Sequence, residues 1–194
     1  MSHGYEFATA TAGFVYKILD DKKNGSFIEV GSSHWKENSN TYVLEKDFGW
    51  SGLGLDIEQH FVDEYNKNRV SKCIKADALV FNWDKYLEEN NFPKQMDFLQ
   101  IDVDDIIPFS NVLALINFPF SRYTFNVVAI EHIANIDSKY ENSKNVQREI
   151  LKLHGYILVA SFFTDEWWIH ESLGIAPSTY DQITAAAWHR ELRA

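Results

Sequence analysis

The feature that most constrains this chain is its alternation of short β-rich runs with helical stretches, punctuated by two nearly continuous apolar runs. Phe98-Leu99-Gln100-Ile101 and Val127-Val128-Ala129-Ile130 carry little of the in-and-out alternation of a half-exposed strand. Such runs suit strands buried on both faces, and strands alternating with helices indicate a parallel sheet covered by helices. Strands are expected at residues 26–31, 52–57, 72–76, 96–103, 126–131 and 156–163, with the 96–103 and 126–131 segments central. Helices are expected at 5–19, 59–68, 83–90, 111–117, 143–154 and 178–192. In the 143–154 segment Val146, Ile150 and Leu153 share a face, with Gly155 placed as a stop. Ser178 and Asp181 have the spacing of a capping box, with Asp in place of Glu. Thr164-Asp165-Glu166 reads as a turn and 167–170 as a strand returning antiparallel along the sheet edge. The expected fold is therefore α/β, doubly wound and mostly parallel, in a single domain over 1–194 whose sheet core spans 26–173.

Composition narrows the partners. The chain has 194 residues, with 18 Lys and Arg against 28 Asp and Glu, a formal net charge of -10. No basic run is present to neutralise phosphates, so a nucleic-acid substrate is not expected. Cys73 is the single cysteine, which excludes an internal disulfide framework and suits a reducing compartment. The longest apolar run, 156–163, falls far short of the ~20 residues of a membrane helix. The N-terminus lacks a positive segment followed by an apolar stretch. A cytoplasmic protein without a membrane partner is the expectation.

Candidate functional residues cluster at the predicted carboxyl ends of strands, where sheets of this kind bind ligands at the point of strand-order reversal. Glu29-Val30-Gly31 ends the first strand. Asp56 and Glu58 end the second, at about the 20-residue interval where an acid meets a ribose hydroxyl pair, and a carboxylate can accept from both hydroxyls. Lys75-Ala76-Asp77 ends the third, placing Asp77 where it accepts from an adenine amino group or caps a helix. Asp102-Val103-Asp104-Asp105 ends the fourth and Glu131-His132 the fifth. These carboxylates and the imidazole could orient a hydroxyl or hold a divalent cation through Asp102 and Asp104. Asp105 reads as part of a solvated turn, and His132 equally as a base or a hydrogen-bonded structural histidine. Trp167, Trp168 and His170 either stack on an acceptor's sugar ring or pack on the sheet edge.

One stretch is more specific than the fold demands. Ile28-Glu29-Val30-Gly31, then Ser39-Asn40-Thr41-Tyr42-Val43-Leu44-Glu45-Lys46, then Gly49-Trp50-Ser51-Gly52-Leu53, resembles the cofactor-binding segment of FkbM-type methyltransferases. Met96-Asp97-Phe98-Leu99-Gln100-Ile101-Asp102-Val103-Asp104 resembles that family's D-F-L-S-I-D-V-E segment, and 127–132 its V-I-E-H strand. The resemblance spans roughly 26–173 and implies a Rossmann-like methyltransferase sheet with an antiparallel C-terminal hairpin. It also implies S-adenosylmethionine as cofactor and a hydroxyl of a small molecule or glycan as acceptor. By the same likeness Glu29 and Gly31 would lie near the methionine moiety, Asn40 would shape the loop, Asp56 would hold the ribose, Asp77 would face the adenine and Asp102 would lie near the methyl group. Asp102 or His132 is the expected base. The chain departs from the family at His34-Trp35, where Asp-Gly is common, and at Asp104-Asp105, where Glu-Gly is common. Two rival readings follow: a methyltransferase-fold binding module whose cofactor His34-Trp35 blocks, and a metal-dependent glycosyltransferase with Asp102-Val103-Asp104 as its D-x-D motif. Association as a homodimer is left open.

Overall fold

A computed structural model of the chain describes residues 3–103, 109–162 and 164–191. Its framework is one seven-stranded sheet. The parallel strands are β1 (Ser26–Val30), β2 (Ser51–Asp56), β3 (Lys72–Lys75), β4 (Gln95–Ile101) and β5 (Thr124–Glu131). An antiparallel pair follows, β6 (Tyr156–Ser161) and β7 (Asp165–His170), and the spatial order is β3-β2-β1-β4-β5-β7-β6. The order reverses between β1 and β4, so the loops after those two strands diverge and leave a crevice at their carboxyl ends.

The two apolar runs are β4 and β5, and both sit in the interior of the sheet as expected. The return strand is a correction. It does not run along the edge but lies between β5 and β6, and it begins at Asp165, within the segment read as a turn. Trp167, Trp168 and Ile169 are almost wholly buried, whereas β6 is mostly half-exposed. The difference follows from position, since β7 is paired on both sides and β6 on one.

Helices α1 (His3–Ile18), α2 (Tyr42–Phe48) and α7 (Pro177–Glu191) lie over one face, with α1 packed on α7. Phe14, Val15, Leu44, Phe27, Phe98 and Trp167 fill the core between them. Helices α4 (Trp83–Glu89), α5 (Ser110–Asn117) and α6 (Glu141–Leu153) cover the other face, over Leu99, Val128, Ile130 and Trp168. Helix α3 (Gln59–Asn68) packs on β2 and β3 through Val62 and Tyr65. Helix α7 starts at Pro177, so Ser178 falls inside the first turn and does not cap it; proline suits that first position because its missing N–H has no helical partner to lose.

Of the apolar stripe read for α6, Ile150 packs against the core and the other two residues do not. Leu153 is 81% exposed and Val146 is exposed, while Ser143, Lys144, Gln147 and Leu151 face inward. That inward face is polar because it has polar work: Gln147 Nε2 donates to the Glu131 carbonyl at 3.2 Å, and Arg148 beside it pairs with Glu166. Among the described residues no helix is long and apolar enough to cross a membrane.

Candidate functional site

Three strand ends meet at Gly31. Its N–H and that of Ser32 both donate to the Leu55 carbonyl, at 2.8 and 3.1 Å, and the Asp102 N–H donates to the Val30 carbonyl at 2.9 Å. Gly31 has φ +80, and a Cβ there would stand 1.7 Å from the Asp102 carbonyl oxygen. Glycine is thus required by the shoulder of β4 before any ligand is considered.

Around this turn lies a cavity of about 460 Å³, within the range of small-molecule and cofactor sites. Its lining includes Gly31, Asp56 and Asp102, the segment Asp77, Ala78 and Leu79, and Val103, Ser110 and Glu131. Asp56 is buried, with Oδ2 accepting from Ser33 N–H at 2.7 Å and Oδ1 from Glu58 N–H at 2.8 Å. A carboxylate has about four acceptor positions, so this clamp fixes the side chain and leaves capacity for hydroxyl donors. Asp77 lines the cavity, and its Oδ1 accepts from Leu79 N–H at 2.9 Å, fixing the turn after β3; it does not cap a helix, since α4 begins at Trp83 and is capped by Asn82.

The structure brings Gly31, Asp56, Asp77 and Asp102 together and leaves Glu29, Asn40 and His132 off the cavity wall. Glu29 turns into the packing behind the loop that follows β1, where it accepts from Ser39 Oγ at 2.8 Å and Thr41 Oγ1 at 2.6 Å. Burial pushes its carboxyl above the usual range, with Arg69, Thr41 and Ser39 opposing. Asn40 is buried between those two hydroxyl residues, within the loop it was expected to shape. His132 is fully buried, and its Nδ1 accepts from Ala134 N–H at 3.2 Å. Burial pulls its pKa below the ordinary histidine value, Glu166 opposes, and Lys144 and Arg148 add to the fall. It lies below the surface and off the cavity wall.

The bulk of His34-Trp35 is directed sideways. Trp35 packs against Val62, Tyr65 and Cys73 and edge-on to Tyr42 at 5.6 Å, and His34 sits edge-on to Phe61 at 5.2 Å. Neither ring lines the cavity. The tryptophans of β7 are likewise internal: Trp167 stacks on Phe14 at 4.6 Å, and Trp168 lies in the opposite core, so neither offers a face to an acceptor. His170 packs edge-on to Tyr156 at 5.1 Å. No group of three His, Cys, Asp or Glu suited to a metal ion occurs among the described residues, and Asp104 and Asp105 lie outside them.

Sequence reasoning missed the apolar part of the cavity. Ile57 is 59% exposed, directly after Asp56, and lines the cavity together with Phe61 and Leu79. These flank the acids as walls for a flat ring. The signal was legible in Asp56-Ile57-Glu58, an aliphatic residue between two acids past a strand end, where a solvated turn has no use for it. Ser33 and Asn38, also in the lining, carry left-handed backbone at φ +44 and +66, which the sequence alone does not announce.

The sequence matches no protein-family model and no curated protein. Solved structures do match. A TehB-like SAM-dependent methyltransferase from Corynebacterium glutamicum aligns over 81% of this chain and 87% of its own, at 12% identity and TM-score 0.52. A putative rRNA methylase from Clostridium thermocellum aligns over 80% and 94%, at 14% identity and TM-score 0.55. Aeropyrum pernix fibrillarin, with natively bound S-adenosyl-L-methionine, aligns over 84% and 76%, at 12% identity and TM-score 0.54. At such identities the likeness speaks for the fold, and the fold of this chain is the Rossmann-like methyltransferase fold, with a mostly parallel seven-stranded sheet made antiparallel at its C-terminal strands.

Proposed function

We propose that this chain is an S-adenosylmethionine-dependent O-methyltransferase of the FkbM type, acting on a hydroxyl of a small molecule or glycan. The observation that carries the reading is the cavity at the Gly31 turn, which sets a clamped acid, Asp56, beside an exposed aliphatic residue, Ile57, on one continuous surface with Asp102 and Glu131. A nucleoside needs that combination: an acid for two vicinal hydroxyls and apolar walls for the base. In this reading Asp56 holds the ribose, Ile57 and Leu79 flank the adenine, and Asp77 accepts from its amino group. S-adenosylmethionine, when bound, supplies an electrophilic methyl group. Asp102 takes the proton of the acceptor hydroxyl and, with Glu131, orients it, so that alignment contributes much of the rate. Asp102 is preferred to His132 as the base because it lines the cavity and His132 does not.

The sideways packing of Trp35 supports cofactor binding over a blocked module, since the cavity stays open beside it. The net charge of -10 weighs against a nucleic-acid acceptor, although one of the structural neighbours is described as a putative rRNA methylase.

The test is thermal unfolding with S-adenosylmethionine and S-adenosylhomocysteine, with UDP-glucose plus Mn²⁺ as control. A ligand at about 100 times Kd adds roughly 2.7 kcal/mol, which moves Tm by about 5–10 °C in a domain of this size. The shift is expected with the sulfur ligands and is lost in Asp56→Ala. No shift with either sulfur ligand overturns the proposal, and a shift with UDP-glucose alone points to the D-x-D reading.

A further inference from the structure

The Ser39-Asn40-Thr41 and Leu44-Glu45-Lys46 block, which the fold by itself does not demand, converges on a side chain that no motif singled out. Arg69 is the residue after α3, and its guanidinium is fully buried. Its Nε donates to Glu45 Oε1 at 2.7 Å, Nη1 to the Trp35 carbonyl and to Ser39 Oγ, both at 3.1 Å, and Nη2 to Thr41 Oγ1 at 3.1 Å. Glu29 lies 4.0 Å away and receives the same two hydroxyls. Glu45 in turn accepts from Val70 N–H at 3.1 Å and Ser71 N–H at 2.8 Å, locking the turn from α3 into β3. The guanidinium lies over the Tyr65 ring at 4.5 Å, with the Tyr42 ring 5.6 Å away.

We propose that Arg69 is the positioning residue of the cofactor cavity, holding the loop of residues 31–41 in its ligand-ready shape through Trp35, Ser39 and Thr41. The inference rests on the cofactor reading above. The loop needs such a clamp because it holds two non-glycine residues, Ser33 and Asn38, in the left-handed region, and both line the cavity. Backbone of that kind persists only where the surroundings over-determine it. Few main-chain bonds do so here: after Ser32 the loop has Ser39 N–H to the Lys36 carbonyl at 3.4 Å, and the Ser33 N–H is spent on Asp56. The remaining restraint comes from the packing of His34 and Trp35, and in hydrogen bonds from Arg69 and from Glu29 behind it. Arginine is the residue for this task because its planar fork donates in several fixed directions at once, which a lysine ammonium does not reproduce. Releasing the loop frees Ser33, and with it one half of the clamp on Asp56, so part of the ligand's binding energy is then consumed in reordering the loop.

The experiment compares S-adenosylhomocysteine binding by calorimetry at 15 °C in the wild type, Arg69→Lys, Ser39→Ala and Arg148→Ala, each verified as folded by circular dichroism. Arg148 pairs with Glu166 and does not line the cavity, so Arg148→Ala is a destabilised control. Arg69→Lys is expected to raise Kd about tenfold or more and Ser39→Ala several-fold, with Arg148→Ala unchanged. Hydrogen exchange across residues 31–41 is expected to quicken in free Arg69→Lys and to return to the wild-type level at saturation. Wild-type affinity and unchanged exchange in both loop variants overturn the inference while leaving the cofactor reading intact. If Arg69→Lys does not fold, Ser39→Ala and Thr41→Val decide the matter by the same readouts. Absence of binding by the wild type itself overturns the cofactor reading, and this inference with it.

Discussion

Replacing Gly31 with alanine tests the junction of β1, β2 and β4 on which the cavity is built. Two costs add. At φ +80 an L residue sits in the left-handed region, at about 1–2 kcal/mol. The new Cβ also stands 1.7 Å from the Asp102 carbonyl oxygen, with the carbonyl carbon at 2.7 Å. That peptide cannot simply turn aside, because the Asp102 N–H is bonded to the Val30 carbonyl and β4 is paired on both sides. Relief requires the strand ends to part by about 1 Å or more, an overpacking cost of about 1–3 kcal/mol. The expected total is about 2–5 kcal/mol out of the 5–15 typical of a domain. Two other glycines separate the contributions. Gly174, at φ +61 with nothing within 4 Å of an added Cβ, carries the backbone cost alone, so Gly174→Ala is expected to lose about 1–2 kcal/mol. Gly13 lies within α1 with the same open space and no positive φ, so Gly13→Ala is expected to gain about 0.5–1 kcal/mol. Urea unfolding followed by tryptophan fluorescence and circular dichroism gives the three values, provided the two probes coincide. A loss for Gly31→Ala no larger than that for Gly174→Ala would refute the steric reasoning.

Three further substitutions probe charges at the start of β7, which pairs with the end of β5. Glu166 is fully buried and receives Arg148 Nε at 2.8 Å, Arg148 Nη2, and Ser161 Oγ at 3.1 Å. Arg148→Ala strands that carboxylate and is expected to cost about 2–3 kcal/mol, at the low end for a broken buried pair because Arg148 is partly exposed. Adding Glu166→Gln is expected to recover much of the loss, and urea titrations showing additive costs would contradict the pairing. Burial pushes the Asp165 carboxyl up to about 6, against the hydrogen bond from Thr164. The folded state therefore keeps this proton after the unfolded chain has lost it, and the group's contribution to stability falls as pH rises from about 4 to 6. Asp165→Asn is expected to flatten that part of the pH–stability curve and to gain about 2 kcal/mol at pH 7, allowing for solvent screening. Parallel curves for variant and wild type would exclude it.

How far the chain could be read depended on which physical signal each element carries. The strands announced themselves, since β4 and β5 must be apolar on both faces and few other structures tolerate such runs. Helix α2 was not recognised, because its seven residues, Tyr42-Val43-Leu44-Glu45-Lys46-Asp47-Phe48, are too few to establish a period and bury one side chain, Leu44. Its start follows from Thr41 and Tyr42 being tied to Ser39, and its end from Gly49 in the left-handed conformation, with its N–H returned to the Glu45 carbonyl. The stripe on α6 misled because hydrophobic periodicity presumes an oily partner. What α6 meets is oily around Ile150 and Leu151, but beside them lie the Glu131 carbonyl and the Glu166 carboxylate, so Gln147 turns inward and Leu153 outward.

The candidate site divides in the same way. Spacing along the chain was enough to place Gly31, Asp56, Asp77 and Asp102 at one sheet edge, because parallel strands joined by helices deliver their carboxyl ends to the same side. The direction in which each side chain points from there is a matter of competing partners. Glu29 is drawn back by Ser39, Thr41 and Arg69, and His132 is enclosed by the packing of β5, α6 and β7. Ile57 is left facing the cavity. The sequence by itself determined the fold class and the edge at which a ligand would sit, since both follow from local pattern and connectivity. Only the tertiary structure decided which of those residues line the cavity and which are bonded behind its loop, because that choice depends on hydrogen bonds between residues 10 to 40 positions apart, and no periodicity records them.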